Sequence, residues 1–293
     1  KDRTLPVTGN ALNWLRAKCN SEHIPLLIEA DGSRQKPVKA PARHEPPIPD
    51  FADIVVYVCG LSSIGNVLNE ENVHRPEIFS ELTNIKMNEQ VSAQSIISFL
   101  THPQGGLKNI PAHANRIALL NQADTPELQS MGGAIAQKLL PTFDAVVIGS
   151  LQNNVIHLVE RTAGIILAAG SSSRYGQLKQ LLDWKGKAFV RHVAETALQA
   201  GLDPVVVVTG FRHADIAPHL QDLPVNIVYN PAYEQGQSTS IKAGLAALPK
   251  NTGAALFLLA DQPQIPADVM RALIESHASE RQSILAPLVL EEK

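Results

Sequence analysis

The sequence predicts an α/β protein built as two three-layer, parallel-sheet domains. Three observations lead there. Short β-branched runs alternate with helix-patterned segments along the whole chain, and that alternation is the signature of parallel strands joined by crossover helices. The 293 residues suit two cores of roughly 150 residues each. An apolar content of 44% is enough to build sizeable cores, so disorder is not the default reading.

In the first half, strands are expected at Ile24–Glu29, Ile54–Cys59, Arg116–Leu120 and Asp144–Ile148, each an aliphatic run between polar flanks. Helices are expected at Ala11–Lys18, Ala93–Thr101 and Pro126–Leu139. The stretch Arg34–Pro49 carries Pro37, Pro41, Pro46, Pro47 and Pro49 among several charges and reads as an ordered loop. A turn at Asn153-Asn154 then leads into Val155–Val159, and polar Glu160-Arg161-Thr162 separates that run from a fresh strand. The domain boundary is placed there, giving domains 1–155 and 162–293. The second half reads as strand Gly164–Ala168, helix Phe189–Ala200, strands Pro204–Thr209 and Val225–Tyr229, helix Ser238–Leu248, strand Ala255–Ala260, helix Pro266–His277 and strand Ser283–Leu288.

Charge narrows the partners. A formal net charge of −3 without a long basic run gives no reason to expect nucleic acid or an anionic membrane surface. No apolar stretch reaches the roughly 20 residues of a membrane span, and no signal-peptide pattern opens the chain. Cys19 and Cys59 lack metal spacing and disulfide density, and a cytoplasmic setting is expected. The chain opens on Lys1 and closes on Glu291-Glu292-Lys293 just after an apolar run, so both ends are expected to be cut from something longer.

The most informative segment is Leu167–Lys179, LAAGSSSRYGQLK, which follows a buried strand. Gly170 and Gly176 let backbone approach a ligand, and successive N–H groups in such a turn form an anion-binding concavity. Arg174 and Lys179 add two cations, and donors plus cations suit a triphosphate. An ordinary Gly/Ser turn is the plain alternative. Asp261 ends the run Ala255–Ala260, where a carboxylate faces the crevice of an open sheet and suits Mg²⁺; capping the next helix is its other reading. Ser238 reads equally as the N-cap of its helix. His192 and His213 read as surface or packing residues.

Segment 167–179 resembles the MobA-like nucleotidyltransferase signature LAxGxSxRxGxxK. The matched residues are Leu167, Ala168, Gly170, Ser171, Ser173 (one residue later than the commonest Ser), Arg174, Gly176 and Lys179. Lys179-Gln180-Leu181-Leu182 resembles the molybdenum cofactor cytidylyltransferase branch. There Ala169 replaces a second Gly of guanylyl-transferring relatives, which the resemblance associates with CTP. The similarity continues through Asn230–Lys242 and implies that Asn230, Gly236, Ser238 and Ser240 lie near the nucleotide, with Asp261 on the metal. It also implies a Rossmann-like fold for this half, and a family that continues beyond Leu288 into acceptor-binding elements.

In the first half, Glu29 and Asp31 resemble the strand-end acids of nucleotide hydrolases. Asn121 and Asp124 resemble the NKxD base-reading motif with Gln122 for Lys, while no GxxxxGK(S/T) loop occurs. The stretches EADGSRQKPVKAP, HEPPIP, VHRPE and HPQGGLK resemble the YqeC-type accessory family of selenium-dependent hydroxylases. That resemblance implies a P-loop-NTPase-like domain whose phosphate loop precedes the matched region. Arg34, Lys36, Lys39, Arg43, His44, His74 and Arg75 form a positive set suited to phosphorylated ligands, or a plain solvated loop.

Together the resemblances imply CMP transfer from CTP to molybdopterin with pyrophosphate release, Mg²⁺ as cofactor, and an apo molybdenum hydroxylase as partner. A transferase acting on another phosphorylated acceptor, and a maturation chaperone that binds without turnover, are the other expectations.

Overall fold

A computed structural model describes residues 7–170, 178–280 and 283–286. The first half contains α1 (Gly9–Glu22), β1 (Val38–Lys39), β2 (Ile54–Gly60), β3 (Val73–His74), α2 (Pro76–Thr83), α3 (Ala93–Leu100), β4 (Asn115–Asn121), α4 (Pro126–Leu139) and β5 (Ala145–Ser150). Then come β6 (Val155–Ala168), β7 (Asp183–Trp184), β8 (Lys187–Ala188), α5 (Phe189–Gln199), β9 (Val205–Thr209), α6 (His213–Ile216), β10 (Asn226–Tyr229), α7 (Gln237–Ala246), β11 (Thr252–Leu259) and α8 (Ala267–Glu280). No described helix is long and apolar enough to cross a membrane.

Seven strands share one sheet in the order β10-β9-β6-β5-β4-β2, with β11 also paired to β6. All pairings in it are parallel except β5 with β6. The sequence led us to expect two strands around Glu160-Arg161-Thr162; the structure has one. Val155 to Glu160 pair antiparallel with β5, and Arg161 to Ala168 pair parallel with β11 and β9. The polar residues do not interrupt the ladder because a polar side chain is tolerated in a strand where it finds a partner. The Arg161 Nε and Nη2 both donate to the Leu140 carbonyl, at 3.0 and 2.9 Å. Before β6, Asn154 adopts a positive φ of 51°, which Asn accepts readily, and the chain reverses there.

In the second half helices lie on both faces. Ile166, Ala168, Val205 and Val207 pack with Val190 and Ala194 of α5 and Met270 of α8. Ile165, Val206 and Val208 form the opposite face, against Ala243 and Ala247 at α7. The three-layer expectation holds in this half.

The first half differs. Its core joins Ala118, Leu120, Val146 and Ile148 to Phe79, Ile96, Phe99 and Ile135 of α2, α3 and α4. These sheet residues share one face, since register pairs Ala118 with Val146 and Leu120 with Ile148. On the other face Ile54, Val56 and Val58 are exposed, so among the described residues this half has two layers. The expected strand Ile24–Glu29 is in no strand and has no ladder partner among the described residues, and Leu27 is 91% exposed. Aliphatic content alone does not make a strand; its N–H and C=O groups need a neighbouring edge. Of the expected strand Ser283–Leu288, residues 283–286 are described and are not in a strand.

Candidate active site

Parallel strands place their carboxyl ends along one sheet edge, and open α/β sheets bind ligands there. In the second half the register pairs Ala168 with Thr209, and Leu167 with both Val208 and Leu259. The segments that follow β6, β9 and β11 therefore emerge side by side. Their turns are tied together: Phe211 N–H donates to the Ala169 carbonyl (3.3 Å), Ala260 N–H to Leu167 (3.2 Å) and Asn230 N–H to Thr209 (2.8 Å).

These segments wall a cleft of about 370 Å³. Of the residues singled out from sequence, Leu167, Ala169, Gly170, Lys179, Ser240 and Asp261 line it. Lys179 and Asp261, from opposite sides of the cleft in sequence, meet there with Nζ 3.8 Å from Oδ2 and side chains 38% and 41% exposed. A part-exposed ion pair of this kind contributes only about 0–1 kcal/mol to stability.

Other expected residues serve the cleft from behind. Ala168 is buried in the α5/α8 core, because strand alternation turns it away from the cleft. Asn230 is buried, and its Nδ2 donates to Thr239 Oγ1 (2.9 Å) and Ser240 Oγ (3.0 Å) while Oδ1 accepts from Ala232 N–H (3.0 Å). It braces the turn after β10 against the start of α7. The N-cap of α7 is Gly236, not Ser238; its φ of 113° suits glycine, and Ser238 lies inside the first turn. Ser171, Ser173, Arg174 and Gly176 lie outside the described residues.

Gln180, Tyr233 and Gln237 also line the cleft, and the sequence had given none of them a site role. Gln180 is buried and its Nε2 donates to the Gly170 carbonyl at 2.9 Å, anchoring the start of the loop. Tyr233 lies so close to Gly210 that a Cβ there would stand 2.6 Å from the Tyr233 Cβ and 2.9 Å from the Ala169 Cβ. A glycine immediately after a strand was the available signal for that close approach.

Among the described residues no group of three or more His, Cys, Asp or Glu could hold a metal alone. A lone accessible carboxylate suits an ion such as Mg²⁺ that keeps several waters and takes other ligands from substrate phosphates. Asp261 fits that role.

The first half gathers its charges differently. Lys39 Nζ contacts Asp31 and donates to the Gly32 carbonyl (2.9 Å), and it stands 3.3 Å from Glu45. Arg75 grips Glu45 with two bonds of 2.6 and 3.0 Å. Burial raises the Glu45 carboxyl, but Arg75, the Ala42 N–H and Lys39 outweigh it and hold the group at about 2. His74 is held below its ordinary value by burial and by Arg75, Lys39 and Arg34. The expected positive set is thus partly neutralised internally. Glu29 is exposed beside Gly32. Asp124 accepts from Ser150 Oγ at 2.6 Å, and Asn121 ends β4 next to Gln122, whose amide accepts from Ser62 Oγ at 2.6 Å. Among the described residues no hydrogen bond or ion pair links the Asp31 cluster to Asn121 or Asp124.

Comparison with known proteins resolves the second half. Residues 164–292 match the family model of the MobA-like NTP transferase domain. Residues 2–77 match the YqeC protein family. Over 110 residues the chain is 33% identical to molybdenum cofactor cytidylyltransferase of Escherichia coli K12, covering 37% of this chain and 56% of that one. It is 33% identical over 130 residues to YqeC of the same organism, covering 44% and 51%. It is also 35% identical over 125 residues to nicotine blue oxidoreductase of Paenarthrobacter nicotinovorans, covering 42% and 60%. The chain thus spans between 51% and 60% of the length of these relatives. The transferase domain begins within β6, so the strand that joins the halves is also its first strand.

Proposed function

We propose that the transferase domain moves CMP from CTP to molybdopterin, releasing pyrophosphate, and that residues 1–155 and 162–293 are two functional units joined by β6. The observation that carries the reading is the open Lys179–Asp261 pair beside Gly170 in a cleft at the carboxyl ends of β6 and β11. A terminal phosphate oxygen of the acceptor attacks the α-phosphorus in line, and the bond to pyrophosphate breaks. Lys179 neutralises charge growing on the leaving group, with Arg174 as its expected companion in the loop. Bound at Asp261, Mg²⁺ supplies further charge stabilisation on the phosphates. Gly170, Ala169 and Ser240 shape the pocket.

Support for CTP is the alanine at 169, the likeness to the cytidylyltransferase, and the packing of Ala169 against Gly210 under Tyr233, which narrows that wall. For the first unit, the match to the YqeC family supports a role in maturing a selenium-dependent molybdenum hydroxylase, with the apo-enzyme as partner. Incubation with labelled CTP, Mg²⁺ and molybdopterin tests the transfer, with GTP, ATP and a sugar phosphate as competitors. Pyrophosphate release and a CMP adduct with CTP are expected. CTP binding without release would favour a maturation chaperone instead.

A further inference from the structure

We propose that the Tyr233 ring is a stacking platform for the nucleobase, held in place by Asn230 and Thr239, and that it adds affinity without choosing the base. This rests on the transferase reading for the identity of the ligand. Among the described residues that line the cleft, Tyr233 carries the aromatic ring, and it is half-buried. Strands β9 and β11 pair with the same stretch of β6, so they flank it on opposite sides. Asp261 follows β11, whereas Tyr233 packs on the turn after β9, where a Cβ at Gly210 would stand 2.7 Å from the Tyr233 Cγ. Two strand spacings, roughly 10 Å, thus separate the charged end of the cleft from its aromatic end. A nucleotide laid across β6 sets its phosphates at Lys179 and Asp261 and its base at Tyr233.

The ring is fixed before any ligand arrives. The Ala232 N–H donates to Asn230 Oδ1 (3.0 Å), and the Ala232 carbonyl, in the peptide bond to Tyr233, stands 3.0 Å from the Thr239 hydroxyl. That hydroxyl accepts from Asn230 Nδ2 at 2.9 Å, so one buried amide braces the residue before the ring from both sides. Phe211 backs the ring at 6.3 Å between centroids, an ordinary distance for an aromatic pair. The Tyr233 hydroxyl donates to Glu234 Oε1 at 3.3 Å, so the base-binding role falls to the ring. A preorganised ring loses little side-chain freedom on binding. Every base has a π-face, so stacking strengthens the binding of all of them, and the choice among bases is left to the wall at Ala169.

Equilibrium binding of CTP and GTP to the full chain, with Mg²⁺ but no acceptor, tests this without turnover. Tyr233→Leu keeps apolar bulk and removes the ring; it should weaken both nucleotides at least about fivefold, by similar factors. Tyr233→Phe should restore most of that affinity. In Tyr233→Trp, nucleotide should quench emission beyond any change in the parent, whose Trp14 and Trp184 give the background. Thr239→Val should weaken CTP binding in the parent and add little in Tyr233→Leu, as a clamp acting through the ring requires. Equal CTP affinity in the parent and Tyr233→Leu, with circular dichroism showing both folded, would overturn the proposal, as would a loss confined to one base or additive losses in the Thr239 cycle. A parent that binds neither nucleotide sinks the transferase reading, and the stacking with it. A parent that binds both while Tyr233→Leu is unchanged sinks the stacking alone.

Discussion

Both halves place a lysine, a carboxylate and a glycine-containing turn together, yet the two clusters have opposite characters. Around Glu45 the charges are consumed by one another: Arg75 is bidentate on it, Lys39 is close by, and the Ala42 N–H donates at 3.1 Å. The Glu45 side chain is only 14% exposed. In the cleft of the second half Lys179 Nζ and Asp261 Oδ2 stand 3.8 Å apart, and both side chains reach solvent. Charged residues at a sheet edge therefore do not by themselves make a site. What separates them is how deeply the charged groups are buried and how tightly they are bonded to one another.

The sharpest way to break this comparison is to neutralise each cluster and read both activity and stability. Lys179→Ala or Asp261→Asn should lower pyrophosphate release at least about 100-fold while leaving thermal stability nearly unchanged. Comparable release in both variants removes the cleft from the chemistry. Glu45→Gln should do the reverse. It strands Arg75 and Lys39 and should destabilise the first half by on the order of 3 kcal/mol, with pyrophosphate release unchanged. A denaturation midpoint equal to the parent's would show that the network is not structural.

The same residue sets a pH signature. Its folded-state carboxyl lies at about 2 against an ordinary 4.5, so its contribution to stability is fully present above 4.5. That contribution is lost as pH falls from 4.5 through about 2. Acid titration of the parent and Glu45→Gln, followed by circular dichroism, should show the difference between them shrink across that window.

A smaller effect tests the wall of the cleft. A Cβ on Gly244 of α7 would meet Ile165 Cγ2 at 2.6 Å and Val208 Cγ2 at 3.2 Å. Gly244→Ala should cost about 1–3 kcal/mol and raise KM for the nucleotide, since α7 also carries Gln237 and Ser240. A KM equal to the parent's would detach α7 from nucleotide binding. The smallest expected change is in base choice. Ala169→Gly removes one methyl group, worth about 1 kcal/mol, and should raise the use of GTP relative to CTP about fivefold. An unaltered ratio would move base discrimination elsewhere.

How much was legible depended on whether the physics was local. The strands β2, β4, β5, β9 and β10 and helices α3, α4, α5 and α8 follow from aliphatic runs and helix periodicity, and they appear within a few residues of the expected limits. Lys179 and Asp261 were visible because a lysine closing a Gly/Ser-rich loop and an acid just after a strand carry chemistry by type and position alone. Gln180 and Tyr233 were not, because their roles come from contacts with Gly170 and Gly210, ten and 23 residues away. Asn230 was visible but its internal bonds were not: a polar residue at a strand end looks the same in sequence whether its amide meets a ligand or Thr239 and Ser240.

By itself the sequence determined the fold class and the family resemblance of the second half, since these depend on side-chain chemistry and periodicity along the chain. Tertiary structure decided the rest. It made Val155–Ala168 one strand serving both halves, left Ile24–Glu29 without a ladder, closed the Glu45 cluster and kept the Lys179–Asp261 pair open. Each of those outcomes turns on which groups find partners far away in the chain, and partnership across the fold is not written in any local run of residues.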